Sequence, residues 1–248
     1  MSNNFKIMWH QGKQYIPDVT TAKVPGIFRG RPIISTVKVN EDTLVDICPT
    51  HAISANPVCI DLGKCTFCGE CAILFPEKIF FAKDCKLATN QRSRLIVREG
   101  EDKPVTLDPD MVRGEIKRIF GGSLKLRQVS AGGDNSCEME LNATNNVNFD
   151  MSRFGIDFVA SPRHADGLVI TGPITANMAE PLERCYNAVP NPKIIILAGT
   201  DAISGGIFAD SPALNREFLY RHTIDLYVPG NPVHPLTFIN GVLSLLRK

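Results

Sequence analysis

Apolar and polar positions follow two different textures along this 248-residue chain. From residue 123 onward, short apolar runs alternate with stretches of helical periodicity. Leu124–Val129, Ile156–Ala160, Leu168–Thr171, Lys193–Ala198 and Ile224–Val228 read as strands. Several of them are continuously apolar, which suits a sheet buried on both faces. Helical stretches fall near 136–146, 178–188 and 212–221, and 235–246 closes the chain. This rhythm predicts an open parallel α/β sheet.

Ahead of residue 123 the pattern is shorter and more polar. Residues 1–40 are punctuated by Pro17, Pro25 and Pro32, which discourage long helices. Residues 41–85 predict a short strand before Cys48, a turn, a strand around Val58–Asp61, and a cysteine-rich loop. Residues 86–107 are polar and charged, with one strand-like stretch at Arg94–Arg98, and read as a connector. Residues 108–120 predict an amphipathic helix with Asp108 as N-cap and Pro109 at its first position, ended by Gly121-Gly122. The implied division is 1–88, a cysteine-bearing α+β unit; 89–122, a linker and connecting helix; and 123–248, the α/β domain.

Composition narrows the classes. Hydrophobic content of 44% and charged content of 21% are ordinary for a globular chain. A net charge of +1 carries no nucleic-acid footprint. The start, M-S-N-N-F-K-I-M-W-H, lacks an apolar signal core. No apolar run approaches the roughly 20 residues of a spanning helix. The expectation is a cytoplasmic protein, docked at most on the cytoplasmic face of a membrane complex. In a reducing compartment, eight cysteines favour metal ligation over disulfides. Cys48, Cys59, Cys65, Cys68, Cys71 and Cys85 crowd the first unit, and only Cys137 and Cys185 lie outside it.

Residues 65–71 read C-T-F-C-G-E-C, and Cys48 is followed by Pro49. Three cysteines at two-residue spacing suit three corners of one cubane, and a distant Cys-Pro suits the fourth, as in ferredoxins. The competing readings are small buried hydrophobes or a zinc site. Zinc sites favour two separate Cys-x-x-Cys pairs, whereas here Cys68 belongs to both spacings. The pattern predicts one [4Fe–4S] cluster on Cys48, Cys65, Cys68 and Cys71. Phe75-Pro76 stands where a two-cluster ferredoxin has a further Cys-Pro, so a second cluster in this unit is not expected. Cys59 and Cys85 are expected to be buried strand residues. Ile79-Phe80-Phe81 would supply an apolar shell.

The cysteine unit resembles the ferredoxin-type subunits of formate hydrogenlyase and related complexes. Three later stretches carry a more specific resemblance: F-G-G-S-L-K-L-R-Q-V-S-A-G-G-D-N-S-C-E (120–138), F-G-I-D-F-V-A-S-P-R-H-A-D-G-L-V-I-T-G-P-I-T-A-N (154–177) and D-L-Y-V-P-G-N-P-V-H-P (225–235). They are similar to the small subunit of energy-converting [NiFe] hydrogenases and to the 20 kDa subunit of NADH-quinone oxidoreductase, or complex I. The resemblance implies a flavodoxin-like open parallel sheet behind a ferredoxin-like unit. It also implies a hydrogenase- or complex I-type large subunit and other subunits of a membrane-associated redox complex as partners. The chain itself would be a non-catalytic electron-transfer subunit. The alternative is a structural or redox-regulatory paralogue that docks a large subunit without passing electrons to it.

In that family the second domain holds its own [4Fe–4S] cluster. Here its four ligand positions are Asp134, Cys137, Asp201 and Asn231. A cubane wants soft thiolates. Two aspartates and an asparagine leave one, so no cluster is expected there. A hard cation on Asp134, Asp201 and Asn231 is a lesser alternative. Each position follows a strand, which predicts that all four converge at the carboxyl edge of the sheet, with Arg163 and His164 beside it. Gly132-Gly133-Asp134-Asn135 could approach a phosphate, but the chain has neither G-x-G-x-x-G nor a P-loop lysine.

Overall fold

A computed structural model of the chain describes residues 3–12 and 14–246. Helix α1 (Asn3–Gln11) precedes the first proline and buries none of its residues. Two small antiparallel sheets follow. One pairs β1 (Pro32–Ile34) with β4 (Ile79–Phe81); the other has the order β2 (Ile53–Ser54), β3 (Cys59–Asp61), β5 (Ile96–Arg98). The segment before Cys48 is a helix, α2 (Glu41–Asp46), and not the strand its apolar residues suggest. Local chemistry decides this: the Asn40 side chain accepts from the Thr43 N–H at 3.1 Å, and Glu41 and Asp42 complement the helix dipole. Helix α3 (Glu70–Leu74) follows the cysteine loop. The stretch read as a connector supplies β5, with Val97 opposite Ile60. Lys78 is buried here. Its ammonium meets Glu99 at 2.8 Å and donates to the Val37 carbonyl at 2.8 Å, so the charge is paired where water is excluded.

Asp108 caps a single 3-10 turn, Pro109–Met111, and the helix proper, α4, runs over Gly114–Phe120. The capping carboxylate is shared: Arg94 and Gln91 donate to it at 2.8 and 2.9 Å. From here strands and helices alternate: β6 (Leu124–Ser130), α5 (Ser136–Ala143), β7 (Ile156–Phe158), β8 (Gly167–Thr171), α6 (Ala176–Ala188), β9 (Ile194–Ala198), α7 (Thr200–Ser204), α8 (Glu217–Arg221), β10 (Leu226–Val228) and α9 (Pro235–Leu246). Helix α8 starts later than its periodicity suggests. Leu214 bridges Thr175, and the Asn215 N–H donates to Ile174, which holds this approach extended.

The five later strands form one parallel sheet, ordered β10-β9-β8-β6-β7. Counted within this half the order is 2-1-3-4-5, one of the two common doubly wound arrangements. Every residue of β8 and β9 is buried, as their unbroken apolar sequences require. On one face Leu124, Leu126, Val169, Ile194 and Ile196 pack with Ile116, Phe120, Leu141, Phe238 and Val242 of α4, α5 and α9. On the other face Leu168, Ile170, Ile195 and Leu197 join Leu182 and Phe218. That second core continues into Ile34, Ile60 and Ile79 of the antiparallel sheets, Leu44 of α2 and Leu95 of the turn before β5. An antiparallel bridge between Thr89 and Tyr227, with N–H···O distances of 3.0 and 2.8 Å, ties the two halves along the β10 edge.

Leu168→Ala removes a fully buried side chain from the centre of β8. It should cost about 2–5 kcal/mol of stability, seen as a lower urea midpoint with an unchanged slope. A loss below about 1 kcal/mol would contradict the packing described.

Candidate functional site

The cysteine motif closes on itself in space. Cys48 follows α2, Cys65 and Cys68 lie in the loop after β3, and Cys71 sits in the first turn of α3. All four line one cavity, together with Pro49, Ile53, Ile60 and Phe81. The loop turns sharply at Phe67 (φ 54°) and Gly69 (φ 83°). At Gly69 a side chain would run into the Arg29 guanidinium, 2.5 Å from an added Cβ. Arg29 in turn donates to the Phe67 carbonyl at 3.3 Å. Backbone amides point at the sulfurs: Ala52 N–H to Cys48 Sγ at 3.2 Å and Phe67 N–H to Cys65 Sγ at 3.3 Å. Cys65 and Cys71 are buried, Cys48 is half-buried and Cys68 is exposed.

This set suits a polynuclear iron–sulfur group. Burial pushes the Cys65 thiol up to about 12 and Cys71 up to about 11, and the neighbouring sulfurs add to both. Four thiolates would not gather there unaided, whereas coordination to iron deprotonates a thiol outright. The amide donors and the apolar wall are the means by which a protein tunes such a group. Among the described residues no three His, Cys, Asp or Glu side chains group tightly around one metal ion. A cubane needs a different geometry, in which each thiolate takes its own iron. Of the two remaining cysteines of this unit, Cys59 is half-buried in β3, and Cys85 is buried but lies in a loop after β4.

The four later positions also meet, at the carboxyl ends of β6, β9 and β10. An added Cβ on Gly199 would fall 2.6 Å from Cys137 Sγ and 3.6 Å from the Gly230 carbonyl, so only glycine lets these loops close together. The Thr200 N–H donates to Gly230 O at 2.9 Å. Asp134 is exposed and accepts from the Ser136 N–H at 2.9 Å and from its hydroxyl at 2.6 Å; both bonds lower its carboxyl below the usual range. It thereby occupies the first amide of α5, so the Gly132–Asn135 loop does not offer that amide to a phosphate. Gly133 and Gly172 are in backbone contact, which also fills the approach. Cys137 is buried and pushed up to about 12 by that burial. Asp201 is buried, and desolvation first, then the charge of Asp134, raises its carboxyl to about 6. Asn231 is half-buried. One thiol, two carboxyls and an amide do not fit a [4Fe–4S] group. Arg163 and His164 are not part of this edge. They are exposed in a 3-10 turn, and the next residues return to the amino end of β6, where Asp166 and Lys125 exchange backbone and side-chain bonds at 2.6 Å.

The two sites touch. The Thr200 hydroxyl donates to the Cys65 carbonyl at 2.8 Å and lies 3.3 Å from Gly230 O. Gly63, just before Cys65, packs on Ile203 of α7, 2.8 Å from an added Cβ. Phe67 of the cysteine loop shares a cavity of about 150 Å³ with Gly230, Asn231 and His234. Sequence patterns single out neither Thr200 nor Arg216. Arg216 donates to the carbonyls of Pro173, Asp201, Ala202 and Ile203 at 2.8–3.1 Å, and so holds α7 in place.

The raised Asp201 carboxyl has a stability consequence. The unfolded group ionises near 3.8 and the folded one near 6, so its contribution is fully present below 3.8 and is lost as pH rises through 6. Asp201→Asn should therefore stabilise the chain above pH 6, by at most about 3 kcal/mol, with the gain vanishing near pH 4. Urea unfolding at both pH values checks this, and an Asn variant no more stable at neutral pH would contradict it.

Comparison with known proteins finds relatives of the later half. Residues 135–245 match the family model described as NADH ubiquinone oxidoreductase, 20 Kd subunit. A probable membrane-bound hydrogenase subunit of Pyrococcus furiosus is 35% identical over 134 residues, 54% of this chain and 80% of that protein. Formate hydrogenlyase subunit 7 of Escherichia coli is 37% identical over 150 residues, 58% of this chain and 59% of the relative. A subunit of the NADH-quinone oxidoreductase of Heliobacterium modesticaldum is 42% identical over 113 residues, 45% of this chain and 65% of the relative. Among solved structures, a chain of the membrane-bound sulfane sulfur reductase, an archaeal respiratory membrane complex, is 26% identical with a TM-score of 0.45, covering 51% of this chain and 70% of that one. Through its later half, the chain belongs to the family of the NADH ubiquinone oxidoreductase 20 kDa subunit.

Proposed function

We propose that this chain is an electron-transfer subunit of a complex related to complex I and the energy-converting hydrogenases. In this reading it comprises a ferredoxin-like unit at 1–88, a linker with its helix at 89–122, and a flavodoxin-like domain at 123–248. Cys48, Cys65, Cys68 and Cys71 hold one [4Fe–4S] cluster, and the edge of Asp134, Cys137, Asp201 and Asn231 holds none. The convergence of four cysteines on one apolar cavity, with amides aimed at their sulfurs, carries the proposal.

A cluster bound there supplies reversible one-electron storage. The protein's part is placement and shielding. Cys65 and Cys71 bury two corners, while exposed Cys68 brings a third to the surface, where a redox partner can approach. Thr200 seats the loop on the carboxyl edge of the sheet. Relatives named as hydrogenase and quinone oxidoreductase subunits support a large subunit of that type as partner. Among the described residues no helix is long and apolar enough to cross a membrane. Attachment to a membrane complex would therefore run through other subunits and keep this chain on the cytoplasmic face. The loss of three thiolates from the family's own site favours the second reading, a structural or redox-sensing subunit that passes no electrons onward.

Anaerobically purified chain should contain about four iron and about four acid-labile sulfide, with a single EPR signal after dithionite reduction. Cys65→Ala and Cys71→Ala should lose most of both, and Cys137→Ala should keep them. About eight of each, or loss in Cys137→Ala, would mean that the later edge also holds a cluster. A cluster that dithionite cannot reduce would favour the structural reading.

A further inference from the structure

Among the described residues, the carboxyl edge contains one buried side-chain oxygen with no hydrogen-bond partner. Asp201 is 8% exposed, and its Oδ1 has no hydrogen bond in the described structure. Leaving a buried carboxylate oxygen unpaired is costly. Space is nevertheless kept for it: any side chain on Gly206 would collide with this oxygen. The charged and titratable groups facing Asp201 are Asp134 from the loop after β6, Glu138 and Cys137 from α5, and Arg216 ahead of α8. Arg216 gives its N–H groups to four backbone carbonyls, including that of Asp201, and not to the carboxylate. Arg92, which lies with Ile203 on the same side of Gly63, is committed to Asp61 at 2.7 and 2.6 Å. Glu138 is buried and accepts from Thr171 at 2.6 Å. Asp201 thus faces two other carboxyls and one guanidinium that donates to backbone carbonyls instead. A proton on Asp201 would remove one of the like charges.

Asp201 stands on the helix that seats the cysteine loop. Its neighbour Thr200 donates to the Cys65 carbonyl, and Ile203, two residues on, packs against Gly63. The loop that carries Cys65 is therefore joined to the residue before this carboxyl by one buried hydrogen bond, a path through protein along which charge acts at lower dielectric than in bulk water.

We infer that Asp201 is a redox-linked proton acceptor, taking one proton from water when the four-cysteine centre receives one electron from a one-electron donor, and releasing it on reoxidation. The inference rests on the reading that Cys48, Cys65, Cys68 and Cys71 hold a cluster. One O–H bond forms on the carboxylate, one electron resides on the iron centre, and no bond to carbon or sulfur forms or breaks. Burial already brings Asp201 to about 6, so added negative charge nearby carries it toward neutral pH.

The test uses the full anaerobic chain, with iron and sulfide measured first and dithionite as reductant. Its midpoint potential, read by EPR, should fall as pH rises above about 6 and then level off. The fall should be about 59 mV for each tenfold difference in Asp201 proton affinity between the two redox states. Asp201→Asn should flatten the profile, and Asp210→Asn, an exposed carboxyl nearby in sequence, should not. Reduced-minus-oxidised infrared spectra of the unsubstituted chain at neutral pH should show a new protonated-carboxyl band that shifts in D2O. This second measurement decides the matter should Asp201→Asn fail to fold. A flat profile in the unsubstituted chain, an unchanged slope in Asp201→Asn, or no carboxyl band would overturn the inference while leaving the cluster in place. A chain without iron would overturn the cluster reading, and the inference with it.

Discussion

Apolar packing runs unbroken from the cysteine loop into one face of the parallel sheet, and the rest of the molecule depends on that continuity. Ile60, Leu62, Cys65 and Cys71 belong to the same buried cluster as Leu168, Ile170, Ile195 and Leu197. Neither side could be exposed to water without uncovering the other, so the small unit is not a tethered module. Its antiparallel sheets have only two and three strands, too few for an independent core of any size. Resting on the larger sheet, they borrow one.

That continuity fixes the placement of the chemistry. The loop after β3 is pressed onto α7, and the polar contact between them is the Thr200 hydroxyl on the Cys65 carbonyl. Glycine at 199 lets its loop close on Cys137 and the Gly230 carbonyl, and glycine at 63 leaves room for the Ile203 side chain of α7. The four-cysteine cavity therefore borders the edge where doubly wound sheets place their sites. At this edge stand one thiol, two carboxyls and an amide. Asp134 accepts from the first amide of α5, Cys137 is a buried thiol under Gly199, and Asp201 is a buried carboxyl raised by desolvation.

The sequence by itself determined the strand–helix rhythm of the later half, because unbroken apolar runs such as Ile194–Ala198 suit a doubly covered strand. It also indicated which four cysteines share one cavity, because the Cys-x-x-Cys-x-x-Cys spacing is local and the Cys-Pro is distinctive. It misjudged the approach to Cys48, where a one-residue cap at Asn40 outweighed an apolar pattern, and the start of α8, where tertiary pairing at Leu214 overrode periodicity. Only the tertiary structure decided that β5 belongs with β3, that Thr200 meets Cys65, and that Asp201 is buried with an unpaired oxygen. The contact of Thr200 with Cys65 joins residues 135 positions apart in the chain. No local periodicity carries such information; packing alone determines which loops share a boundary and which polar groups are cut off from water.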